Sequence, residues 1–217
     1  MELINNKIIA LRKEYSSAYL NEEDISVDPF KQFELWMHQA VEAQILEPHA
    51  MNVCTVSAEG KPSSRIVLLR GFDHKGFVFY TNYNSHKGND LEKNNHVCLN
   101  FFWSELERQV RIEGIISKVD EQTSIDYFNS RPRESRIGAW ASEQSTIIKS
   151  RKVVEDAFAF YTNKFKDTPI IPKPPHWGGY LVKPSNIEFW QGRPSRLHDR
   201  LKFTRTNNDW KIERLSP

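Results

Sequence analysis

The chain has 217 residues, of which 39% are hydrophobic, 12% aromatic and 27% charged, and its formal net charge is +2. This composition is typical of one large globular domain and excludes an intrinsically disordered chain. A net charge this small excludes bulk electrostatic attraction to nucleic acid or to a membrane, so anion binding must come from local clusters.

The two cysteines, Cys54 and Cys98, each lie in an apolar run. This predicts buried free thiols in a reducing compartment, because two isolated cysteines make neither a disulfide framework nor a zinc site. The sequence contains no run of 18 apolar residues, and its N-terminus has no long apolar core. It therefore predicts a cytoplasmic protein with no membrane contact.

The N-terminal part of the chain has the spacing of an amphipathic helix over residues 3–20. The polar stretch NEEDISVD follows it, so residues 1–27 are expected to form a mobile helical arm and residues 28–217 a single domain. Asp28 and Pro29 are typical of a helix N-cap and first turn, and helical spacing continues behind them.

From about residue 50 the hydrophobic period changes from 3.6 to 2, which indicates strands. In chain order the predicted strands are MNVCTVSA, SRIVLLR, FVFYTN, HVCLNFFW, ERQVRIEGIISKV, WGGYLV, NIEFWQ, RLKFTRT and WKIERL. Helices are predicted at SHKGNDLEKN and within residues 120–166, with a loop at DTPIIPKPPH and a last hairpin turn at residues 207–209. These elements predict an α+β fold that is mainly antiparallel β, arranged as a barrel with flanking helices.

The motifs of several large enzyme classes are absent: the chain has no GxGxxG after a strand, no GxxxxGK[ST], no HExxH and no GxSxG. The seven histidines are scattered without metal-ligand spacing, which argues against a histidine metal site. Ser195, His198 and Asp199 suggest a hydrolase, but in an extended strand Ser195 and Asp199 would point away from His198.

Basic residues are concentrated in the stretch WQGRPSRLHDRL, residues 190–201. If this stretch is extended, Arg196, His198 and Arg200 lie on one face, because side chains alternate along a strand. Three such donors repel one another unless an anion or an electron-rich ring lies between them. The alternative interpretation is a solvated edge strand whose basic residues block aggregation.

Two further groups could bind anions. Arg65 and Arg70 lie at the two ends of the apolar strand SRIVLLR, on opposite faces, which suits either two anionic ligands or simple strand ends. Ser85 precedes a predicted helix, whose free backbone N–H groups suit a phosphate, although the serine alone favours an ordinary N-cap.

A third group lies in YFNSRPRESR. Tyr127 and Arg131 are spaced i, i+4 on a helix that Pro132 interrupts, and Ser135 follows where a new helix can begin. Two hydroxyls and a guanidinium form a plausible phosphate clamp, since arginine matches phosphate oxygens bidentately. A charged helix end is the alternative.

The segments FWQGRPSRLHDR, SRIVLLR, FYTN, LERQVRIEG, YFNSRPRESRIGAWAS and WGGY together resemble the pyridoxine/pyridoxamine 5′-phosphate oxidase family, in order over nearly the whole chain. The resemblance implies an FMN-binding split β-barrel of Greek-key type, and a homodimer with FMN at its interface. It implies oxidation of pyridoxamine 5′-phosphate and pyridoxine 5′-phosphate to pyridoxal 5′-phosphate by hydride transfer to FMN. O₂ would be reduced to H₂O₂. The reaction would serve vitamin B6 salvage or biosynthesis.

The resemblance also implies roles for individual residues. Those matched to FMN binding are Arg65, Ile66, Val67, Leu68, Leu69, Arg70, Tyr80, Thr81, His86, Lys87, Gln109, Gln144, Ser145, Trp190 and Arg200. Those matched to substrate binding are Arg12, Tyr15, Arg70, Tyr127, Arg131, Ser135, Arg196, Leu197 and His198. Arg196 and His198 would be the catalytic pair, and Arg12 and Tyr15 would lie on the arm that can cover the ligand.

The sequence departs from the family pattern at two positions. Arg70 stands where lysine is common, which keeps the charge but replaces a point charge with a planar fork. His86 stands where arginine is usual beside the FMN phosphate, so Lys87 is the stronger candidate for that contact.

Two other functions are compatible with the sequence. One is a split-barrel flavin oxidase acting on another aromatic substrate, as in phenazine-biosynthesis relatives, although the clamp of Tyr127, Arg131 and Ser135 favours a phosphorylated substrate. The other is a non-catalytic barrel that binds flavin, or binds nucleic acid through aromatic strands and arginines. The oxidase interpretation predicts no nucleic-acid partner and no metal.

Overall fold

The computed structural model describes residues 2–11, 14–207 and 209–217. The helices in these ranges are α1 Glu2–Ala10, α2 Pro29–Glu42, α3 His86–Lys93, α4 Glu121–Ser130, α5 Arg133–Ala141 and α6 Arg151–Lys164. The strands are β1 Ala50–Val56, β2 Pro62–Leu68, β3 Gly71–Asp73, β4 Gly76–Asn82, β5 His96–Trp103, β6 Arg108–Lys118, β7 Trp177–Gln191, β8 Asp199–Arg205 and β9 Trp210–Arg214. These elements agree with the predicted α+β class.

The strands form one sheet in the order β2-β1-β5-β6-β7-β4-β3, with β8 paired to β7 and β9 paired to β8. The predicted hairpin at EGKP is confirmed, because Val56 of β1 pairs with Pro62 of β2 in antiparallel register. The pairs β3–β4, β4–β7, β7–β8 and β8–β9 are also antiparallel. The last hairpin turn was predicted at residues 207–209; Asn208 lies outside the described residues.

Strand β7 corrects one prediction, since WGGYLV and NIEFWQ are halves of a single strand of 15 residues. Its residues 177–182 pair with β4, and its residues 186–191 pair with β8. Pro184 lies between these two pairings, so its missing N–H falls where the strand changes partner. The strand therefore continues through Pro184.

Helix α1 corrects another prediction, since the helix expected over residues 3–20 ends at Ala10. Ile4, Ile8 and Ile9 are each more than half exposed, so α1 has little apolar packing to extend it. Further along, the backbone N–H groups of Ser16 and Ser17 donate to the carboxylate of Glu107 and not to carbonyl oxygens of a helix. The mobility of the arm and the division at residue 27 stay predictions.

Helix α2 begins as predicted. The carboxylate of Asp28 accepts a hydrogen bond from the backbone N of Phe30 at 2.8 Å, and Pro29 occupies the first turn. The helix buries Phe33 and Trp36. This N-cap therefore sets the start of the helix that supplies part of the core.

Spatial contacts divide the chain into two compact units. The first unit comprises Met1–Pro48, Asn100–Ile112 and Asn186–Pro217, and the second comprises His49–Leu99 and Glu113–Ser185. Core aromatic residues of the first unit are Phe33, Trp36, Phe101, Trp103, Phe189 and Phe203. A core cluster of the second unit contains Phe128, Ile137, Phe165, Ile171 and Trp177. Within the described ranges, no helix combines the length and apolarity needed to cross a membrane.

Candidate active site

The second unit contains a cavity of about 730 Å³, here called cavity A. It brings together most of the predicted FMN residues, namely Arg65, Ile66, Val67, Leu68, Arg70, Tyr80, Thr81, His86, Lys87, Gln144 and Ser145. It is also lined by the whole predicted phosphate clamp, Tyr127, Arg131 and Ser135. Leu69 is buried, and Gln109, Trp190 and Arg200 belong to the first unit; none of these four lines cavity A.

The charge of cavity A is positive. Its lining includes the cationic side chains of Arg65, Arg70, Lys87 and Arg131, and no aspartate or glutamate is among the described residues that line it. Cations without carboxylate partners create a local potential that attracts anions, and guanidinium and ammonium groups both bind phosphate. The cavity therefore suits phosphorylated ligands.

Lys87 is the most buried of these cations, with a relative exposure of 6%. Its Nζ donates to Thr81 Oγ1 at 2.7 Å, to Gln144 Oε1 at 2.8 Å and to Ser85 Oγ at 3.0 Å. Burial, and to a lesser degree the charge of Arg65, lowers the pKa of Lys87 to about 8. A bound anion would reverse this shift, because it favours the charged amine.

The predicted helix start beside Lys87 is confirmed. The hydroxyl of Ser85 caps α3 by accepting a hydrogen bond from the backbone N of Gly88. His86 also lines cavity A, but its Nδ1 lies 3.5 Å from Asp90 Oδ2 and its side chain is 64% exposed. Lys87 is therefore the better placed of the two for an anion inside the cavity.

Arg65 is held on the cavity wall by neutral oxygens. Its Nη1 donates to Thr55 Oγ1 at 2.8 Å and its Nη2 donates to Ser63 Oγ at 2.6 Å. Burial lowers the pKa of Arg65, although the nearby carboxylate of Asp90 opposes the shift. Neutral oxygens thus orient this guanidinium.

The prediction that Arg65 and Arg70 face opposite sides is wrong. Strand β2 ends at Leu68, so the alternation of side chains does not extend to Arg70. Both guanidinium groups belong to residues that line cavity A. One cavity, not two separate faces, therefore carries both charges.

The phosphate clamp lies where two helices meet. Helix α4 ends at Ser130, Arg131 is its C-cap, and α5 begins at Arg133, which places Ser135 in the first turn of α5. The guanidinium of Arg131 lies over the ring of Trp177 at 4.7 Å. Burial lowers its pKa, and its Nη1 is buried with no hydrogen-bond partner in the part of the chain that the structure describes.

An unpaired buried N–H is costly, so this donor fits an oxygen supplied by a ligand. The free backbone N–H groups at the start of α5 add to the attraction for a phosphate. Together these features show that the residues of the clamp fit a phosphate group.

Aromatic rings form another wall of cavity A. Tyr80 and Tyr127 are stacked with centroids 3.9 Å apart, and Trp177 lies parallel to them at 5.5 and 6.2 Å. Parallel rings offer a flat apolar surface for an aromatic ligand. Trp177 was not predicted as a site residue, although it begins the WGGY segment of the family pattern. Asn82, Gly138, Ala139 and Ser142 also line the cavity without having been predicted.

The first unit contains a cavity of about 640 Å³, here called cavity B. It is lined by Leu11, Glu14, Tyr15, Arg193, Ser195, Arg196 and His198. Three predicted substrate residues, Tyr15, Arg196 and His198, are thus brought together. Leu197 is 70% exposed and does not line the cavity, and Arg12 lies outside the described residues.

The assumption that residues 194–198 are extended is wrong. Residues Pro194–Arg196 form a 3₁₀ turn, and β8 begins only at Asp199. Ser195 and Arg196 have φ values of 56° and 62°, a left-handed conformation that disfavours residues with a Cβ. Such strain is characteristic of functional sites, and here the residues on either side of Leu197 still reach one cavity.

Arg200 does not share a face with Arg196 and His198, contrary to the prediction. Its Nε donates to Glu188 Oε1 at 2.8 Å and its Nη1 donates to the carbonyl oxygen of Ser216 at 2.9 Å. The hydrogen bond to Glu188 raises the pKa of Arg200, so this cation is fixed in a carboxylate pair. Trp190 lies opposite Arg200 in the β7–β8 register.

A Ser-His-Asp arrangement is excluded on grounds other than strand alternation. His198 Nδ1 accepts a hydrogen bond from the backbone N of Arg193 at 3.1 Å, and the Asp199 carboxylate accepts from Arg193 and Arg214. Neutral His198 therefore carries its proton on Nε2. Burial, and then the charge of Arg196, lowers the pKa of His198. The side chain is thus a neutral Nε2–H donor near pH 7.

The sequence matches two family models. Residues 37–163 match the model described as pyridoxamine 5′-phosphate oxidase, and residues 177–217 match the pyridoxine 5′-phosphate oxidase C-terminal dimerisation region. The pyridoxine/pyridoxamine 5′-phosphate oxidase of Cytophaga hutchinsonii is 54% identical over 208 residues, which cover 95% of this chain and 97% of that protein. The protein of the same name from Gloeothece citriformis is 52% identical over 215 residues, covering 99% and 100%.

Two solved structures share the fold. PhzG from Burkholderia lata, in complex with tetrahydrophenazine-1-carboxylic acid, has a TM-score of 0.86 and 28% identity, covering 93% of this chain and 100% of that chain. A pyridoxamine 5′-phosphate oxidase-related, FMN binding protein from Nostoc punctiforme has a TM-score of 0.69 and 16% identity, covering 89% and 100%. These structures confirm the predicted fold class of the split-barrel flavin proteins. From the family models and the relatives, this chain belongs to the pyridoxamine 5′-phosphate oxidase family.

Proposed function

We propose that this chain oxidises pyridoxamine 5′-phosphate and pyridoxine 5′-phosphate to pyridoxal 5′-phosphate, with FMN as cofactor and O₂ as the final acceptor, reduced to H₂O₂. Relatives more than 50% identical over nearly the whole chain carry the name of this activity. The observation in the structure that supports it most is cavity A, whose cationic lining has no described carboxylate and whose Arg131 has an unpaired buried N–H.

The residues of cavity A fit two phosphate groups. Lys87 and Arg65, with the amide of Gln144, would hold the phosphate of FMN, while Arg70, Arg131 and Ser135 would hold the phosphate of the substrate. The parallel rings of Tyr80, Tyr127 and Trp177 suit flat ligands. When bound, FMN supplies the acceptor for the hydride removed from the substrate and passes the electrons to O₂.

Binding both phosphates would orient the pyridine ring of the substrate against the flavin ring. Such orientation of the reactants lowers the entropic part of the barrier. Arg196 would contribute a positive charge beside the substrate ring and stabilise the negative charge that develops there. His198 would donate its Nε2 proton to a polar substituent of the ring. Because its Nδ1 already accepts from the backbone of Arg193, its role is to position the substrate.

We further propose that FMN lies at the interface of a homodimer. Trp190 and Arg200 lie within residues 177–217, which match the family's dimerisation region, and Gln109, Trp190 and Arg200 do not line cavity A. In a homodimer, these three residues would contact the FMN that is bound in cavity A of the partner subunit. A cytoplasmic location is proposed from the composition of the sequence.

The experiment is a spectrum of the purified protein. It should be yellow, its flavin absorbance should bleach anaerobically on addition of pyridoxine 5′-phosphate, and air should restore the absorbance with formation of H₂O₂. Bleaching by an unphosphorylated phenazine precursor but not by pyridoxine 5′-phosphate would favour the activity type of the PhzG relative. A colourless protein with salt-dependent affinity for oligonucleotides would favour a binding module.

A further inference from the structure

Glu107 occupies an unusual backbone position for its residue type. It closes the turn between β5 and β6, where its backbone N donates to the carbonyl oxygen of Ser104, and its φ is 55°. This left-handed conformation favours glycine or asparagine at the corresponding position of a hairpin loop. A glutamate that is only 4% exposed in such a position suggests that its side chain has a task.

The carboxylate of Glu107 binds a segment about 90 residues away in the sequence. Its Oε2 accepts hydrogen bonds from the backbone N of Ser16 at 2.8 Å, the backbone N of Ser17 at 3.1 Å and Ser17 Oγ at 2.9 Å. Hydrogen bonds to an ionised acceptor are about twice as strong as neutral ones. Three donors that converge on one oxygen therefore hold this segment firmly.

The backbone of Glu107 binds the end of β7 and the residue that follows it. Its carbonyl oxygen accepts hydrogen bonds from the backbone N of Gly192 at 2.7 Å and from Gln191 Nε2 at 3.2 Å. Gly192 lies two residues before the 3₁₀ turn Pro194–Arg196, and His198 follows this turn. One residue therefore connects the N-terminal segment to the base of this turn.

Tyr15 lies between the two segments that Glu107 binds, next to Ser16 in sequence and to Gly192 in space. A Cβ built on Gly192 would lie 2.7 Å from Tyr15 Cγ and 2.8 Å from Tyr15 Cβ, so the two residues are in close contact. The ring of Tyr15 lies 5.8 Å from the rings of Trp190 and His198. Tyr15 and His198 both line cavity B, so a shift of the Tyr15 ring would change the cavity beside His198.

We propose that Glu107 is a positioning residue, whose carboxylate holds Ser16 and Ser17 so that Tyr15 forms the wall of cavity B beside His198. In this role Glu107 never touches substrate, but it sets the affinity for the flat ring of a phosphorylated pyridine. The consequence for affinity depends on the proposed function, whereas the effect on the segment does not.

The first experiment measures hydrogen exchange in the FMN-loaded protein. In Glu107→Ala the amides of Ser16 and Ser17 lose their acceptor and should exchange at least about tenfold faster, because exchange follows local opening. Glu107→Gln keeps an oxygen acceptor without the charge, so its exchange rates should lie between those of the wild type and those of Glu107→Ala. The matched control is Glu105→Ala on the same turn, which should leave both amides unchanged. Unchanged exchange in Glu107→Ala would overturn the proposal.

The second experiment separates positioning from stability by kinetics. Glu107→Ala should raise KM for pyridoxine 5′-phosphate by about tenfold while kcat and FMN content change by less than about twofold. Gly192→Ala should have a similar effect, since its methyl group would displace the Tyr15 ring. In a Tyr15→Ala background neither substitution should raise KM further, because their effects act through the same ring.

Additive effects of Glu107→Ala and Tyr15→Ala on KM would contradict the proposal, as would a loss of FMN or thermal stability with KM unchanged. If the wild-type protein does not oxidise pyridoxine 5′-phosphate at all, the proposed function fails. The exchange rates of Ser16 and Ser17 would still decide the role of Glu107.

Discussion

Cavities A and B are both basic, yet their positive charges have different kinds of partner. In cavity A, Lys87 donates to neutral oxygens and Arg131 lies over the ring of Trp177. In cavity B, Arg193 pairs with the carboxylate of Asp199 at 3.3 Å, and Glu14 belongs to the lining. A cation with neutral partners keeps its charge available for an anion, whereas one paired with a carboxylate is held in a set geometry.

The carboxylates around cavity B also connect its segments. Asp199 Oδ2 accepts from the backbone N of Leu20 at 3.1 Å, and Asp199 Oδ1 accepts from Arg214 Nη1 at 2.9 Å. Arg214 in turn binds Glu22, which lowers the pKa of that carboxyl to about 2. The difference between the cavities suggests that cavity A provides affinity for phosphate, and that cavity B provides precision in the position of a few side chains.

Removal of the Arg196 side chain tests the precision attributed to cavity B and should have the largest effect. Arg196→Ala should lower kcat/KM by about 10²–10³-fold, as expected when one electrostatic donor to a developing charge is lost. FMN should remain bound, which the flavin spectrum of the desalted variant checks. The control is Arg205→Ala, a cation over the Trp210 ring and outside both cavities. Activity near wild type in Arg196→Ala would refute the assignment.

Removal of the Arg131 side chain tests the affinity attributed to cavity A. Arg131→Ala should raise KM for pyridoxine 5′-phosphate by about 10–100-fold with a smaller change in kcat, since a charge-assisted bond to phosphate contributes roughly 1.5–3 kcal/mol. Oxidation of unphosphorylated pyridoxine should hardly change. Arg151→Ala, which removes an exposed cation of α6, is the control. An equal loss for both substrates would mean that Arg131 does not recognise the phosphate.

The pH dependence of FMN binding gives the smallest of the three effects. The pKa of Lys87 is about 8 in the ligand-free cavity, and the phosphate of FMN would favour the charged amine. Binding should therefore weaken by about tenfold between pH 7 and pH 9, as the amine loses its proton. Lys87→Met should bind FMN more weakly at pH 7 and lose this dependence. Titration of the apoprotein followed by flavin fluorescence measures both.

The apoprotein should show the opposite trend in stability. Below pH 8 the Lys87 amine is charged in both the folded and the unfolded chain, and its burial opposes folding. Between pH 8 and about 10.4 the folded chain has lost the proton while the unfolded chain retains it. The free energy of unfolding contributed by Lys87 therefore rises across this window. The measurement compares the free energy of unfolding of the wild-type apoprotein and of Lys87→Met between pH 8 and about 10. If the difference between them moved against the wild type as the pH rises, the lowered pKa of Lys87 would be contradicted.

Local patterns in the sequence were sufficient for most strands and for the phosphate clamp. Tyr127, Arg131 and Ser135 are close in sequence, so helical spacing and Pro132 are enough to bring them together. The strand boundaries followed from period-2 runs and turn residues. Beyond this, the family resemblance supplied residues such as Thr81 and Gln144, which the structure places in the same cavity.

Features that depend on distant contacts or on backbone strain could not be predicted in this way. Glu107 and Ser16 are separated by 91 positions, and no periodicity relates them. The left-handed backbone of Ser195 and Arg196 also has no glycine to signal it. As a result, a regular strand was expected where a turn occurs, and Arg200 was placed on the wrong face.

The left-handed pair Ser195–Arg196 also has a consequence for engineering. Glycine at position 195 would remove a conformational cost of about 1–2 kcal/mol from the folded state, although it would give the unfolded chain more freedom. A screen for heat resistance could therefore enrich Ser195→Gly. The same change would make the backbone that orients Arg196 more flexible. Ser195→Gly would therefore gain thermal stability and lose turnover rate. Heat resistance at this turn should be selected together with turnover.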